Sequence, residues 1–108
     1  MRKKRTDRNH LIYKITCLPT LDEYIGVTVM NSSSIKKTLK TRFQQHIYKA
    51  TIVAPDWSLS SAIREHGHDM FIIEPLEKCR GRIPSFKREA ELINEYKPSL
   101  NTKRKNNL

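Results

Sequence analysis

Apolar and polar positions alternate between two rhythms along this chain. Residues 11–17, LIYKITC, are β-branched and aromatic and read as a strand. LPTLDE then supplies Pro and Asp for a turn, and residues 23–29, EYIGVTV, read as a second strand, completing a hairpin. The rhythm changes after the polar run MNSSS, which offers a cap for a helix starting near Ile35. Ile35, Leu39, Phe43, Ile47 and Ala50 recur there at helical spacing, and Pro55 bounds the helix. LSSAIREHG predicts a second helix, with Ser58 as cap and Gly67 as stop. DMFIIEPLE predicts a third strand, RGRIP a turn, and SFKREAELINEY a last helix capped by Ser85 and ended by Pro98. The order strand, strand, helix, helix, strand, helix predicts an α+β domain: a small three-stranded antiparallel sheet flanked by helices. The domain is expected over residues 10–101, between a basic arm (1–9) and a basic tail (102–108).

Composition narrows the partners. The 108 residues suffice for one domain and one modest core. With 3 Gly and 5 Pro the chain is no linker, and no internal repeat is visible. Lys plus Arg number 21 against 11 acids, a formal charge of +10, which points to a polyanion and most often to nucleic acid. A ribosomal-type scaffold, an anionic membrane surface or plain solubility would use the same charge. No apolar run approaches the ~20 residues of a membrane span, and the start MRKKRTDRNH is not followed by the apolar region of a secretory signal. Cys17 and Cys79 stand far apart with no Cys-x-x-Cys, which fits a reducing, cytoplasmic setting rather than a disulfide framework or a zinc site.

Three groups of residues are candidates for chemistry. Tyr13 and Tyr24 sit in the two strands of the hairpin; whether they share a face depends on where the turn is centred, and a one-residue shift separates them. Gly26, next to Tyr24, has no side chain and leaves room for a sugar-phosphate backbone. Arg42 and His46 are four apart and stack on one helix face beside Phe43 and Ile47. Arg offers a planar fork of donors and His donates or accepts, a pair suited to a phosphate, although a solvated basic face is the commoner meaning of that spacing. On the last helix Phe86, Ala90, Ile93 and Tyr96 or Lys97 form the expected apolar stripe, and Glu89 lies at its edge. A carboxylate there needs a cation. The helix alone favours a structural ion pair; the other reading is a metal ligand. His66-Gly67-His68 lacks further ligands at zinc spacing.

Taken in order, Leu-Ile-Tyr, ten residues between the tyrosines, Tyr-Ile-Gly, Arg-x-x-x-His on a helix, Glu-x-x-x-Ile on a later helix and Pro-x-x-Asn resemble the GIY-YIG nuclease family over residues 11–101. SLSSAIREHGHDMFIIEPLEKC and REAELINEYKPSLN are similar to its helix-to-third-strand passage and its metal-binding helix. The resemblance implies a stand-alone, metal-dependent endonuclease that hydrolyses DNA phosphodiesters, of phage, mobile-element or repair type, at home in a bacterial or phage-infected cell. It implies that Tyr13 takes a proton from the attacking water and Tyr24 positions the phosphate or the water. Arg42 would hold the scissile phosphate, His46 would assist proton transfer or phosphate binding, Glu89 would ligate a single Mg²⁺ or Mn²⁺, and Asn101 would play a supporting part. Tyrosine ordinarily titrates near 10, so Tyr13 needs a neighbouring cation to favour its phenolate, with Lys36, Lys37 and Lys40 as candidates. Those three lysines, with Arg2, Lys3, Lys4 and Arg5 in the arm and Lys103, Arg104 and Lys105 in the tail, are the expected DNA contacts. One active site per chain implies nicking, and a double-strand break would require a dimer. Leu11 stands where the family name has Gly, and the stretch VTVMNSSSIKKTLKT suggests a DNA-contacting loop. The alternative is a nucleic-acid-binding protein of the same fold that does not cut.

Overall fold

A computed structural model describes residues 8–101. Strands β1 (Asn9–Cys17), β2 (Glu23–Val29) and β3 (Phe71–Arg80) form one antiparallel sheet in the order β2-β1-β3. Helices α1 (Ile35–Tyr48) and α2 (Ser58–His66) precede β3, and α3 (Arg82–Tyr96) follows it. The α+β architecture is the one the pattern predicts. Among the described residues no helix is long and apolar enough to cross a membrane.

Being central, β1 is covered on both faces, which accounts for its near-continuous apolar run. Leu11, Tyr13, Ile15 and Cys17 point to one side and pack with Leu39, Ala50, Leu59, Ile63, Phe71 and Leu100. Ile12 points to the other, with Ile25 and Leu92. Leu11, Ile12 and Ile15 are essentially fully buried, and each contributes roughly 1.5–3 kcal/mol on that account. Lys14 reaches across neighbouring strands to Glu23 at 3.4 Å and Glu74 at 4.0 Å.

Local chemistry sets the helix ends, with some departures from expectation. Ser34 caps α1: its hydroxyl accepts from the Lys37 N–H at 3.1 Å. The stretch between Gly26 and Arg42 is therefore not one long loop; it divides into the end of β2, a short turn and the first turns of α1. Past Tyr48 the helix widens into a π-helical turn, Lys49–Val53, closed by Ala54 at φ 52. α2 is preceded by Trp57 and ends at Gly67, whose φ of 88 suits glycine. β3 begins two residues later than expected, because Asp69 and Met70 belong to a 3₁₀ turn. α3 begins at Arg82, and Ser85 is not its cap: the fully buried Ser85 hydroxyl donates to the Gly81 carbonyl one turn back.

The buried face of α3 also differs from the apolar stripe read in the sequence. Phe86 and Tyr96 are exposed, while Ser85 and Leu92 are buried and Arg88, Glu89 and Ile93 half-buried. Arg88 fixes this rotation by pairing with Glu77 of β3 at 3.0 Å and Glu91 at 3.1 Å. Glu89 thereby lies within the inward-facing stripe.

Candidate active site

Strand register brings the two tyrosines together. Tyr13 lies opposite Gly26 and Ile15 opposite Tyr24, so Tyr13 and Tyr24 are diagonal neighbours on one face, ring centroids 6.3 Å apart. The turn is centred between Pro19 and Thr20, with Leu21 at φ 64 and the Cys17 N–H donating to the Asp22 carbonyl at 2.9 Å. Across β3, Ile12 faces Glu77 and Tyr13 faces Pro75, leaving Leu76 as a bulge beside Tyr13. Pro75 is tolerated because β3 is an edge strand, and a bulge re-aims the side chains next to it.

Gly26 is needed for the tyrosines themselves. A Cβ at this position would lie 2.6 Å from the Tyr13 hydroxyl oxygen and 2.9 Å from the Tyr24 ring. The Tyr13 ring lies over Gly26 and is fully buried.

Helix α1 supplies the polar half of the site. Arg42 Nε donates to the Tyr13 hydroxyl at 3.0 Å, and His46 Nε2 lies 2.8 Å from the same oxygen. Arg42 Nη1 donates to Gln45 Oε1 at 2.8 Å, which orients the guanidinium. His46 also packs edge-on to Tyr24, centroids 5.4 Å apart. The cation beside Tyr13 is thus Arg42. Lys36 and Lys40 line a separate hollow with Phe43 and Ile47, and Lys37 lines a small depression shared with Arg42.

Burial dominates the electrostatics. It raises the Tyr13 pKa above the ordinary tyrosine value; Tyr24 and Glu89 add to the rise, and Arg42 opposes it by charge and hydrogen bond. Arg42 is the cation Tyr13 needs, but burial outweighs it, and Tyr13 is a neutral phenol at neutral pH. Tyr24 is raised for the same first reason. His46 is lowered to about 4 by burial, then by the charges of Arg42 and Lys49. A neutral imidazole has one ring nitrogen free to accept. In the tautomer that carries its proton on Nδ1, His46 Nε2 accepts from the Tyr13 hydroxyl; in the other it donates to that oxygen.

Glu89 approaches from α3, which packs on the Ile12 face against β2 and β1. Its carboxyl pKa is raised by burial and partly restored by Arg42, and its charge bears on both tyrosines. Among the described residues no ion pair meets it; Arg88, the cation next to it in sequence, is committed to Glu77 and Glu91. A half-desolvated carboxylate with no ion pair among the described residues suits a hard divalent ion such as Mg²⁺, which keeps several waters and needs few protein ligands. No cluster of three or more His, Cys, Asp or Glu is found among the described residues, so at most one other such side chain would join Glu89.

Asn101 closes the arrangement. Its Oδ1 accepts from the Ile25 N–H and its Nδ2 donates to the Ile25 carbonyl, both at 2.8 Å. The amide completes the open edge of β2 between Tyr24 and Gly26, as another strand would.

A cleft of about 460 Å³ opens beside these groups, lined by Tyr24, Arg42, His46 and Asn101 and by residues the sequence did not single out: Gln45, Tyr48, Lys49 and Trp57. Gln45 was discoverable from its i, i+3 spacing to Arg42. Arg42 and Gln45 also line the small depression with Lys37, which shares Asn31 and Ser32 with a third hollow bordered by Arg8 and Lys78. The three form a continuous groove with no acidic residue among the described lining. Arg2, Lys3, Lys4, Arg5, Lys103, Arg104 and Lys105 lie outside the described residues.

No protein-family model and no curated protein matches the chain. Among solved structures the chain is similar to the catalytic domain of the homing endonuclease I-TevI, a GIY-YIG enzyme, with a TM-score of 0.61 at 19% identity, covering 91% of this chain and 99% of that one. The chain shares the fold of that domain.

Proposed function

We propose that this protein is a metal-dependent endonuclease that hydrolyses DNA phosphodiester bonds. The observation that carries the reading is the Tyr13 hydroxyl held between Arg42 Nε at 3.0 Å and His46 Nε2 at 2.8 Å, two residues that line a basic cleft with no acidic residue in its described lining. Homing-endonuclease chemistry on the same fold supports it, as does the +10 charge.

The residues divide the work by chemical type. Arg42, with Nε and Nη1 engaged, presents its remaining donors to the cleft and holds a non-bridging phosphate oxygen. Tyr24 positions the phosphate or the attacking water. Water forms the new P–O bond as its proton passes to the Tyr13 oxygen. Tyr13 simultaneously releases its own proton to His46 Nε2, so no free phenolate is needed. The P–O3′ bond breaks, and the 3′ oxygen takes a proton from solvent and leaves as a hydroxyl. Glu89 is the residue that would hold Mg²⁺ or Mn²⁺, one ion per site, and the ion when bound supplies neutralising charge at the phosphate and the leaving oxygen. One such site cuts one strand; a double-strand break takes a dimer or a second event.

The test is purified protein with plasmid, branched and single-stranded DNA, in Mg²⁺, Mn²⁺ or EDTA. Nicking or cutting that stops with chelator is expected. Arg42→Ala and Tyr13→Phe should lose most of it, and Arg42→Lys should recover only part, because lysine keeps the charge without the fork. Intact DNA in every arm, with binding retained, would instead assign the protein as a non-cutting DNA binder of this fold.

A further inference from the structure

The cleft has two ends of different chemistry. At one, Tyr24, Arg42 and His46 form the catalytic group. At the other stand Trp57, Tyr48 and Lys49, which the hydrolytic chemistry leaves unused. Trp57 is 40% exposed and Tyr48 61% exposed, although large aromatic side chains ordinarily bury most of their surface. The Lys49 ammonium lies over one face of the indole ring, 4.1 Å from its centre, a cation–π contact that a base stacking on that face displaces.

Trp57 is also held firmly. Arg64 Nη1 donates to the Ala50 carbonyl at 3.1 Å and the Pro55 carbonyl at 3.2 Å, tying together the two ends of the segment before the indole. Within that segment Ala54 takes a left-handed φ of 52, and a π-helical turn precedes it. A non-glycine residue in that region and a π turn both cost energy and concentrate at binding sites. The outcome is an exposed aromatic surface, fixed in place, in the same cavity as the arginine that binds phosphate.

We propose that this end of the cleft is a nucleobase subsite, which takes one unpaired DNA base next to the scissile phosphate. The inference rests on the endonuclease reading and adds to it a substrate class. A planar ligand with a π face suits Trp57 and Tyr48, and Lys49 suits the phosphate that comes with it. A base inside a duplex hides both faces in the stack and cannot reach the indole; an unpaired or extruded base can. The preferred substrate is then DNA with an unpaired nucleotide at the cleavage point, such as a bulge, flap or branch, rather than uniform duplex.

Trp57 is the chain's one tryptophan, so its fluorescence reads this subsite directly. The full chain carrying Tyr13→Phe, in EDTA to prevent cutting, is titrated with three DNAs. They are a duplex, the same duplex with one bulged nucleotide, and that bulge made abasic. The bulged duplex should quench the fluorescence strongly and bind about 5- to 100-fold more tightly than its abasic counterpart, the range of one base–aromatic stack. Read by the anisotropy of labelled DNA, since these variants lack the fluorophore, Trp57→Phe should keep part of that preference and Trp57→Ala should abolish it. Equal quenching by bulged and abasic DNA, or a preference that survives Trp57→Ala, overturns the subsite while leaving the nuclease reading in place. Failure of all three DNAs to bind overturns both readings together. The quenching comparison needs no change at Trp57 and holds even where Trp57→Ala does not fold.

Discussion

The Tyr13 oxygen accepts from Arg42 and lies 2.8 Å from His46 Nε2, within reach of proton transfer to a neutral imidazole. The lowered pKa of His46 is the physical condition for this. At about 4 the imidazole stays neutral throughout the physiological range. The same shift makes a stability prediction. Unfolded, His46 titrates near 6.5; folded, it binds a proton only near 4. Between those values the unfolded chain carries more protons, so stability rises with pH across that window. The contribution is complete above pH 6.5 and is lost as pH falls towards 4, at most about 3 kcal/mol. Thermal melts of the wild type and His46→Asn at steps between pH 7.5 and 4.5 test it. The wild type should lose Tm faster on acidification than the variant; parallel curves would place His46 in an ordinary, solvated environment.

At the scale of elements, α3 shows a helix orienting a costly group. Its inward face is set by Leu92, Ser85 and the Arg88 pairs, and Glu89 comes along at the turn between them. Burial raises its pKa, so the folded state binds its proton more readily than the unfolded chain does, and the ionised carboxylate costs stability at neutral pH. Glu89→Gln keeps the shape and removes that charge. In EDTA at pH 7.5 it should melt at the same temperature as the wild type or higher, by about 0.5–2 kcal/mol, as active-site neutralisations commonly do. Added Mg²⁺ should raise the wild-type Tm and leave the variant unmoved, because a ligand that binds only the folded state stabilises it. A variant clearly less stable in EDTA would make Glu89 a structural ion-pair partner.

At the scale of the whole molecule, the groove from Lys49 through Arg42 and Lys37 to Arg8 and Lys78 gives the +10 charge a direction. DNA binding through it should weaken steeply with salt as counterions are released. Lys37→Ala and Lys78→Ala should each reduce the slope of log K against log salt by about 1. Lys40→Ala, on the other side of α1, should reduce it less. Deleting residues 1–6 or 102–108 should flatten the slope further without altering metal dependence. Filter-binding or anisotropy titrations over a range of salt concentrations measure all of these. Slopes equal to the wild type in both lysine variants would place the DNA outside the groove.

The sequence by itself determined the order and type of the elements, because each runs long enough for its period to show. It also determined that Arg42 and His46 share a helix face, since four residues make one turn wherever the helix is placed. Whether Tyr13 meets Tyr24 was open, because a shift of one residue in the turn reverses every side chain of a strand. The backbone pairing of Cys17 with Asp22, and of the Leu18 N–H with the Met70 carbonyl far along the chain, settled it. The α3 stripe was misread by about one residue: apolar content favours Phe86 and Ala90, but close packing at Ser85 and the Arg88–Glu77 pair across to β3 decide which face turns in. The cation beside Tyr13, the neutral state of both partners and the Trp57 end of the cleft were beyond the sequence. Each depends on burial and on residues tens of positions apart, and burial is a property of the assembled fold, not of any segment within it.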